Sequence, residues 1–267
     1  MTFLIFSVCL ALGVLLLIAL SYKWCLSPGK SALLIISATL VATTIGAIAW
    51  FIIVIPIVVG IIVIFCQLGI YLSELLYLFY RDPIRTPPDN PNAIVSPADG
   101  KVIYIKKLES GTLLQSEKNK DVMILDELRE KTISNQYLWQ IGISMSFTDV
   151  HINRAPVAGQ VTMISKHPGK FLSLRKREAV NTNERQTLVI ENGKLQIAIV
   201  QIASRLVRQI QAFIRQGDMV EKGQRIGIIK FGSQVDLFLP VELSCPLNIS
   251  LGQHLVAGQT VISSVQE

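Results

Sequence analysis

The chain has 267 residues, 51% of them hydrophobic, with 25 basic against 19 acidic side chains and a formal charge of +6. That length accommodates one soluble domain plus a membrane anchor, or two modest domains. Its four cysteines make no C-x-x-C pair and its three histidines show no ligand spacing, so reduced thiols and no structural metal are expected; no nucleic-acid-binding motif accompanies the positive surplus.

The charge is unevenly spread, because Lys23, Lys30 and Glu74 are the charged side chains of the first 80 residues. The basic surplus therefore lies in the remainder of the chain, where it suits an anionic membrane surface. Phe3 to Leu20 is an unbroken apolar run, close to the roughly 20 residues that a helix needs to cross a bilayer. No basic segment precedes it and another apolar block follows, which argues against a cleaved signal peptide. The second block, Ser31 to about Tyr80, is too long for one crossing and suits a helical hairpin broken near Trp50 to Pro56. Lys23 and Lys30 flank one short loop, and Arg81 and Arg85 follow the last apolar residue. Two crossings between these groups put both on the cytoplasmic side. The expectation is a three-helix anchor over 1–80, an outside N-terminus and a cytoplasmic domain over 81–267, in the cell (inner) membrane.

From Arg81 the pattern changes to short apolar runs punctuated by glycine and proline. Pro83, Pro87, Pro88 and Pro91 mark an extended lead-in. Val95 to Lys106, Gln160 to Lys166, Thr187 to Glu191, Gln196 to Gln201 and Arg225 to Lys230 read as strands. Asp121 to Lys131, with Val122, Leu125 and Leu128 at three-residue spacing, reads as a helix. Two internal echoes support a mostly-β domain. Ser96-Pro-Ala-Asp-Gly100 resembles Ala155-Pro-Val-Ala-Gly159, and the segment from Gly217 echoes that from Gly252 in the pattern G-x-x-[VL]-x-x-G-Q-x-[IV]. Such glycine turns flanked by aliphatics build the barrel-sandwich hairpins of lipoyl and biotinyl carrier domains. The expected fold is a mostly-β, barrel-sandwich-like domain behind a helical anchor.

Gly232-Ser233, taken alone, is a turn between strands. A serine hydrolase elbow would be G-x-S-x-G before a helix, whereas Ser233 lacks the second glycine and precedes an apolar strand. The combination is more specific. Phe79-Tyr-Arg-Asp-Pro83, Ser96-Pro-Ala-Asp-Gly100, His151-Ile-Asn-Arg-Ala-Pro156, His167-Pro-Gly-Lys-Phe171, Asn183-Glu-Arg185 and Phe231-Gly-Ser233 follow one another in this order. The set resembles the short, membrane-anchored branch of the phosphatidylserine decarboxylase family, including archaetidylserine decarboxylases, over about Phe79 to Val261.

The resemblance implies a proenzyme cut between Gly232 and Ser233, whose two fragments stay together and whose Ser233 becomes a covalent pyruvoyl cofactor. It implies a carboxy-lyase acting on a serine phospholipid in the bilayer, with no nucleic acid and no metal involved. Self-cleavage needs a base near Ser233; His151 is the candidate, with Asp99 orienting it or stabilising its charged form. Longer relatives carry H-x-x-H here. The second histidine is replaced by Arg154, which cannot act as a base near neutral pH and could hold a carboxylate or phosphate. His167, Lys170, Asn183 and Arg185 are further candidates for the headgroup. Two other readings stay open: an inactive membrane-tethered scaffold of the same fold, which would remain uncut, and a carrier module, which would need a modifiable lysine at a hairpin tip.

Overall fold

The computed structural model describes residues 2–24, 26–53, 55–112, 114–118, 121–128, 136–168, 184–193, 195–203, 209–230, 234–242 and 246–265. It divides into two compact units, one of Met1–Arg81 with Ser146–Thr148 and one of Asp82–Met145 with Asp149–Glu267.

The first unit contains helices α1 (Thr2–Lys23), α2 (Pro28–Ile52) and α3 (Pro56–Tyr80), each long and apolar enough to cross a membrane. Pro28 and Pro56 occupy first-turn positions, where the missing N–H costs no helical hydrogen bond. Leu17, Leu34, Ala38, Tyr71 and Leu75 form the contact between helices, and the hydroxyls of Ser21 and Tyr71 meet at 2.5 Å within it. Residues 146–148 return to this unit. Phe147 stacks on Trp24 at 5.7 Å, Lys30 Nζ donates to Thr148 Oγ1 at 2.9 Å, and Arg81 donates to the Thr148 carbonyl at 2.9 Å.

The second unit is β-structure. Its strands are β1 (Ala93–Val95), β2 (Gly100–Leu108), β3 (Gln115–Lys118), β4 (Asp121–Ile124), β5 (Leu138–Ser144), β6 (Ile152–Arg154), β7 (Gly159–His167), β8 (Arg185–Asn192), β9 (Leu195–Ile202), β10 (Gln209–Ala212), β11 (Met219–Val220), β12 (Arg225–Lys230), β13 (Gln234–Pro240), β14 (His254–Leu255) and β15 (Val261–Ser264). Among the described residues, an eight-stranded antiparallel sheet runs β11-β7-β8-β9-β13-β5-β2-β14, with a three-stranded sheet β10-β12-β6 and the pairs β1-β15 and β3-β4. The mostly-β expectation holds, as does the helical N-terminal part. The helix expected over Asp121 to Lys131 does not form. Asp121–Ile124 pairs with β3, and Asp126–Leu128 makes one 3-10 turn that buries Leu125 and Leu128. The three-residue spacing recorded that burial, not a helix; residues 129–131 lie outside the described set.

The eight-stranded sheet is buried on both faces. Ile141, Ile143, Leu188, Ile190, Ile197, Ile199, Val235 and Leu237 line one face with Ile210, Ile226 and Ile229, while Leu138, Val189, Val200, Ile202 and Phe238 line the other with Leu114, Leu125 and Leu128. Two-sided burial explains why β9 and β13 are near-continuous apolar runs and do not alternate. The sequence echoes are structural. Gly100 and Gly159 open β2 and β7 at φ +143° and +157°, and a Cβ on either would lie 2.4 or 2.3 Å from a carbonyl oxygen of the neighbouring strand. β14 then pairs with the start of β2 as β11 pairs with the start of β7, so the sheet repeats itself about its β9–β13 centre.

Across that sheet, Tyr104, Gly142 and Asp236 share one row. The Tyr104 ring lies over Gly142 and its hydroxyl donates to the buried Asp236 carboxylate at 2.6 Å. A Cβ at residue 142 would sit 2.4 Å from the ring. Gly142→Ala should therefore cost about 1–3 kcal/mol by overpacking and lower the melting temperature measured by near-ultraviolet circular dichroism. An unchanged melting temperature would refute the packing argument.

Candidate functional site

His151 stands immediately before β6, fully buried, and its carbonyl accepts from Ile229 of β12 at 3.3 Å. Its Nδ1 lies 2.9 Å from the Asp149 carbonyl oxygen. A carbonyl can only accept, so Nδ1 carries the proton and Nε2 is the basic nitrogen of the neutral ring. The loop geometry thus presents His151 as a proton acceptor at Nε2.

Asp99 ends the Ser96-Pro-Ala-Asp turn, where the Ser96 hydroxyl donates to the Ala98 carbonyl at 2.7 Å. Its carboxylate is gripped by both terminal nitrogens of Arg85, at 2.5 and 2.8 Å. The backbone N–H groups of Ala257 and Val150 donate to it at 2.8 and 3.3 Å. Asp99 therefore touches the histidine's chain neighbour and reaches His151 through the backbone. Asp149, one residue further back, is buried, and its carboxylate lies 3.0 Å from His254 Nε2. One residue after another, the segment leading to His151 is tied down.

The proposed cleavage pair, Gly232 and Ser233, lies outside the described residues, as do Lys170 and Asn183. Both flanks of the pair are described. Lys230 ends β12 opposite Gln209, and Gln234 opens β13 between Ile202 of β9 and Ser144 of β5. Gln234 and Val235 are buried, so β13 starts inside the sheet.

Arg154 is also buried and fully engaged at its terminal nitrogens. They donate to Asp82 at 3.1 Å and to the carbonyls of Pro83 and Gly223 at 3.0 and 2.9 Å. Burial pushes this guanidinium below its usual range; Asp82 counters that, while Arg85 and Arg225 add to it. Arg154 thus pins the proline-rich lead-in to the β-domain.

His167 and Arg185 converge on a carboxylate that sequence reasoning did not single out. Arg185 donates to Glu127 at 3.2 and 3.3 Å, the Thr187 hydroxyl donates to it at 2.6 Å, and His167 Nδ1 lies 3.8 Å away. Burial would raise the Glu127 carboxyl, but the bonds from Arg185 and Thr187 outweigh it and hold the group below its ordinary value. Asp236 was likewise missed, although a lone acid in an apolar strand was its signal. It is fully buried, which pushes its carboxyl up against the pull of hydrogen bonds from Tyr104, Gln234 and Gln140. A third polar group joins Asn153, Gln201 and Gln186.

The family model described as phosphatidylserine decarboxylase matches residues 72–263, beginning inside α3. The chain is similar to the phosphatidylserine decarboxylase proenzyme of Erythrobacter litoralis, at 43% identity over 190 residues that cover 71% of this chain and 72% of that one. It is similar to the proenzymes of the same name from Desulfotalea psychrophila, at 36% over 188 residues (70% and 78% of the two chains), and Ruegeria pomeroyi, at 38% over 201 residues (74% and 83%).

Glu127 predicts an acid-sensitive contribution to stability. A carboxyl depressed in the folded state stabilises it above the ordinary value of 4.5, and that stabilisation is lost as pH falls through the lower folded value. Glu127→Gln should lower the melting temperature at pH 7, and the gap from the unmodified chain should shrink on acidification below pH 4.5. A gap that stays constant with pH would contradict the assignment.

Proposed function

The chain belongs to the phosphatidylserine decarboxylase family, and on that premise we propose that it is a proenzyme that cuts itself between Gly232 and Ser233 and then converts phosphatidylserine to phosphatidylethanolamine. The observation that carries this reading is His151, buried beside β12 with Nδ1 donating to the Asp149 carbonyl, which makes Nε2 the basic nitrogen of the neutral ring. β12 ends at Lys230, two residues before Gly232.

Ser233 gives its hydroxyl proton to His151 Nε2 as Oγ bonds to the Gly232 carbonyl carbon. The C–N bond then breaks, and the proton passes to the departing nitrogen, leaving an ester and a free amine. Loss of the Ser233 Cα proton expels the Gly232 carboxylate, and water hydrolyses the resulting enamine with release of ammonia. Residue 233 ends as a pyruvoyl group. That group supplies an electrophilic ketone, absent from the twenty side chains, which bonds the substrate amine and takes up the electrons released as carbon dioxide leaves. The chain suits such a cap, because Gln234 and Val235 are buried at the centre of the sheet and hold the new N-terminus on a rigid strand. After the cut, β13 stays paired on both edges with β5 and β9 of the larger fragment, which keeps the two pieces together.

The protein reaches its two-tailed substrate by spanning the cell membrane three times, with the β-domain on the cytoplasmic side. Lys23, Lys30 and Arg81 support that orientation; Arg85 contributes less, since Asp99 neutralises it. We assign His167 and Arg185, with Lys170 and Asn183, to the headgroup side of the site. Arg154 serves to hold the lead-in through Asp82.

Intact-mass analysis of the purified chain tests the processing step. Two species meeting at Gly232/Ser233 are expected, with the smaller resistant to Edman degradation, and Ser233→Ala should give one full-length species. A single uncut species from the unmodified chain would overturn the reading in favour of an inactive scaffold. His151→Ala should slow self-cleavage by about 10²- to 10⁴-fold, the usual contribution of a positioned base; cleavage at the original rate would remove His151 from that role.

A further inference from the structure

Among the described residues of the β-domain, Ile84 is the large apolar side chain most fully presented to its surroundings. It is 94% exposed, against 71% for Met219 and 68% for Leu251. Single exposed hydrophobes are common on protein surfaces, but the setting of this one is unusual. It stands in the extended segment after α3, and its neighbours are fixed to the β-domain on both sides. Before it, the Asp82 carboxylate is held by Arg154 at 3.1 Å and Arg225 at 2.5 Å, and the Pro83 carbonyl accepts from Arg154 at 3.0 Å. After it, Arg85 grips Asp99 and donates to the Ala257 carbonyl at 2.9 Å, and the Pro87 ring fills the space beside Gly223. The backbone at Ile84 is held in place while its side chain stays in the open.

The covalent chain indicates what lies near that side chain. α3 has 25 residues, which at 1.5 Å each make about 37 Å, longer than the roughly 30 Å hydrocarbon core of a bilayer. The surplus lets its last turn lie among lipid headgroups, where the exposed Tyr77 and Tyr80 match an aromatic belt. Ile84 follows Tyr80 by four residues, and four residues reach at most about 14 Å. An apolar side chain fixed within that distance of the interface has the boundary between headgroups and acyl chains as its partner.

We propose that Ile84 is a wedge that enters the interfacial layer of the bilayer and seats the β-domain on the lipid surface. The partner is glycerophospholipid: the isoleucine side chain leaves water there, while the extended backbone beside it stays hydrated. The residues that hold the wedge also reach the site. Arg85 clamps Asp99, which accepts from the Val150 N–H beside His151, so the wedge and the histidine loop are parts of one clamped assembly. The consequence for catalysis rests on the membrane-spanning anchor and the decarboxylase reading above. With substrate confined to the bilayer, only the seated fraction of the protein takes it up, and the apparent KM rises as that fraction falls.

The contact itself is tested without reference to activity. A photoreactive benzoylphenylalanine placed at position 84 of the full-length chain, in nanodiscs of phosphatidylcholine and phosphatidylglycerol, should gain the mass of one phospholipid on irradiation. Absence of a lipid adduct would overturn the proposal, whatever the protein catalyses. The second arm is kinetic. Ile84→Ser should raise the KM for phosphatidylserine in nanodiscs about 10-fold, the effect of losing the burial of one such side chain, with kcat unchanged. Ile84→Leu should keep the original KM. Both variants should turn over a short-chain, water-soluble phosphatidylserine as the unmodified chain does, because that substrate needs no seating. An unchanged KM for Ile84→Ser in nanodiscs, or an equal loss on the soluble substrate, would also overturn the proposal. If no form of the chain releases carbon dioxide from either substrate, the decarboxylase reading fails and the adduct alone decides the wedge.

Discussion

The hydrogen bond from His151 Nδ1 to the Asp149 carbonyl decides which nitrogen of the ring can take a proton, and the surrounding structure is arranged to keep that bond in place. The Asp149 carboxylate is held by His254, and the Val150 N–H by Asp99, which Arg85 clamps in turn. His254 and Ala257, a second holder of Asp99, both belong to one glycine-bracketed segment near the end of the chain. Arg85 comes from the proline-rich lead-in, which Arg154 fastens through Asp82. Charged residues that the motifs single out thus spend their charge on backbone and on one another, and together they fix the position of one imidazole.

Much of this architecture was legible in the sequence, because it is written in periodicity and in glycine. The apolar runs up to Tyr80 gave three helices with the break where Pro56 starts the last one. The paired echoes proved to be equivalent elements, since Gly100 and Gly159 meet neighbouring carbonyls in the same way and pair with Leu255 and Val220 respectively. What pattern could not reveal was burial on two faces. β5, Leu138–Ser144, carries Gln140 and Gly142 amid apolar residues and reads as neither an alternating strand nor a helix. Its glycine accommodates a tyrosine ring from the next strand, a contact with no local signature. The supposed helix from Asp121 failed for a related reason, as Leu125 and Leu128 enter the core from a single tight turn.

The candidate site was legible in its residues and not in its connections. His151 and Asp99 were singled out together, yet the carboxylate reaches the ring by way of the Val150 N–H. Arg154, read as a possible anion ligand, is turned towards Asp82 and two carbonyls. Glu127 and the Asn153–Gln201–Gln186 relay escaped notice because each joins residues far apart in the chain, and no spacing rule links them. Polar side chains in apolar strands, such as Gln201 and Asp236, were the available hint.

The tautomer of His151 can be observed directly. In the Ser233→Ala chain, uniformly labelled with [15N]histidine in nanodiscs, magic-angle-spinning spectra at neutral pH should show His151 with its proton on Nδ1 and a bare Nε2, assigned by the signal lost in His151→Gln. A ring protonated at Nε2, with Nδ1 bare, would contradict the account, because the nitrogen required as base would already carry its proton.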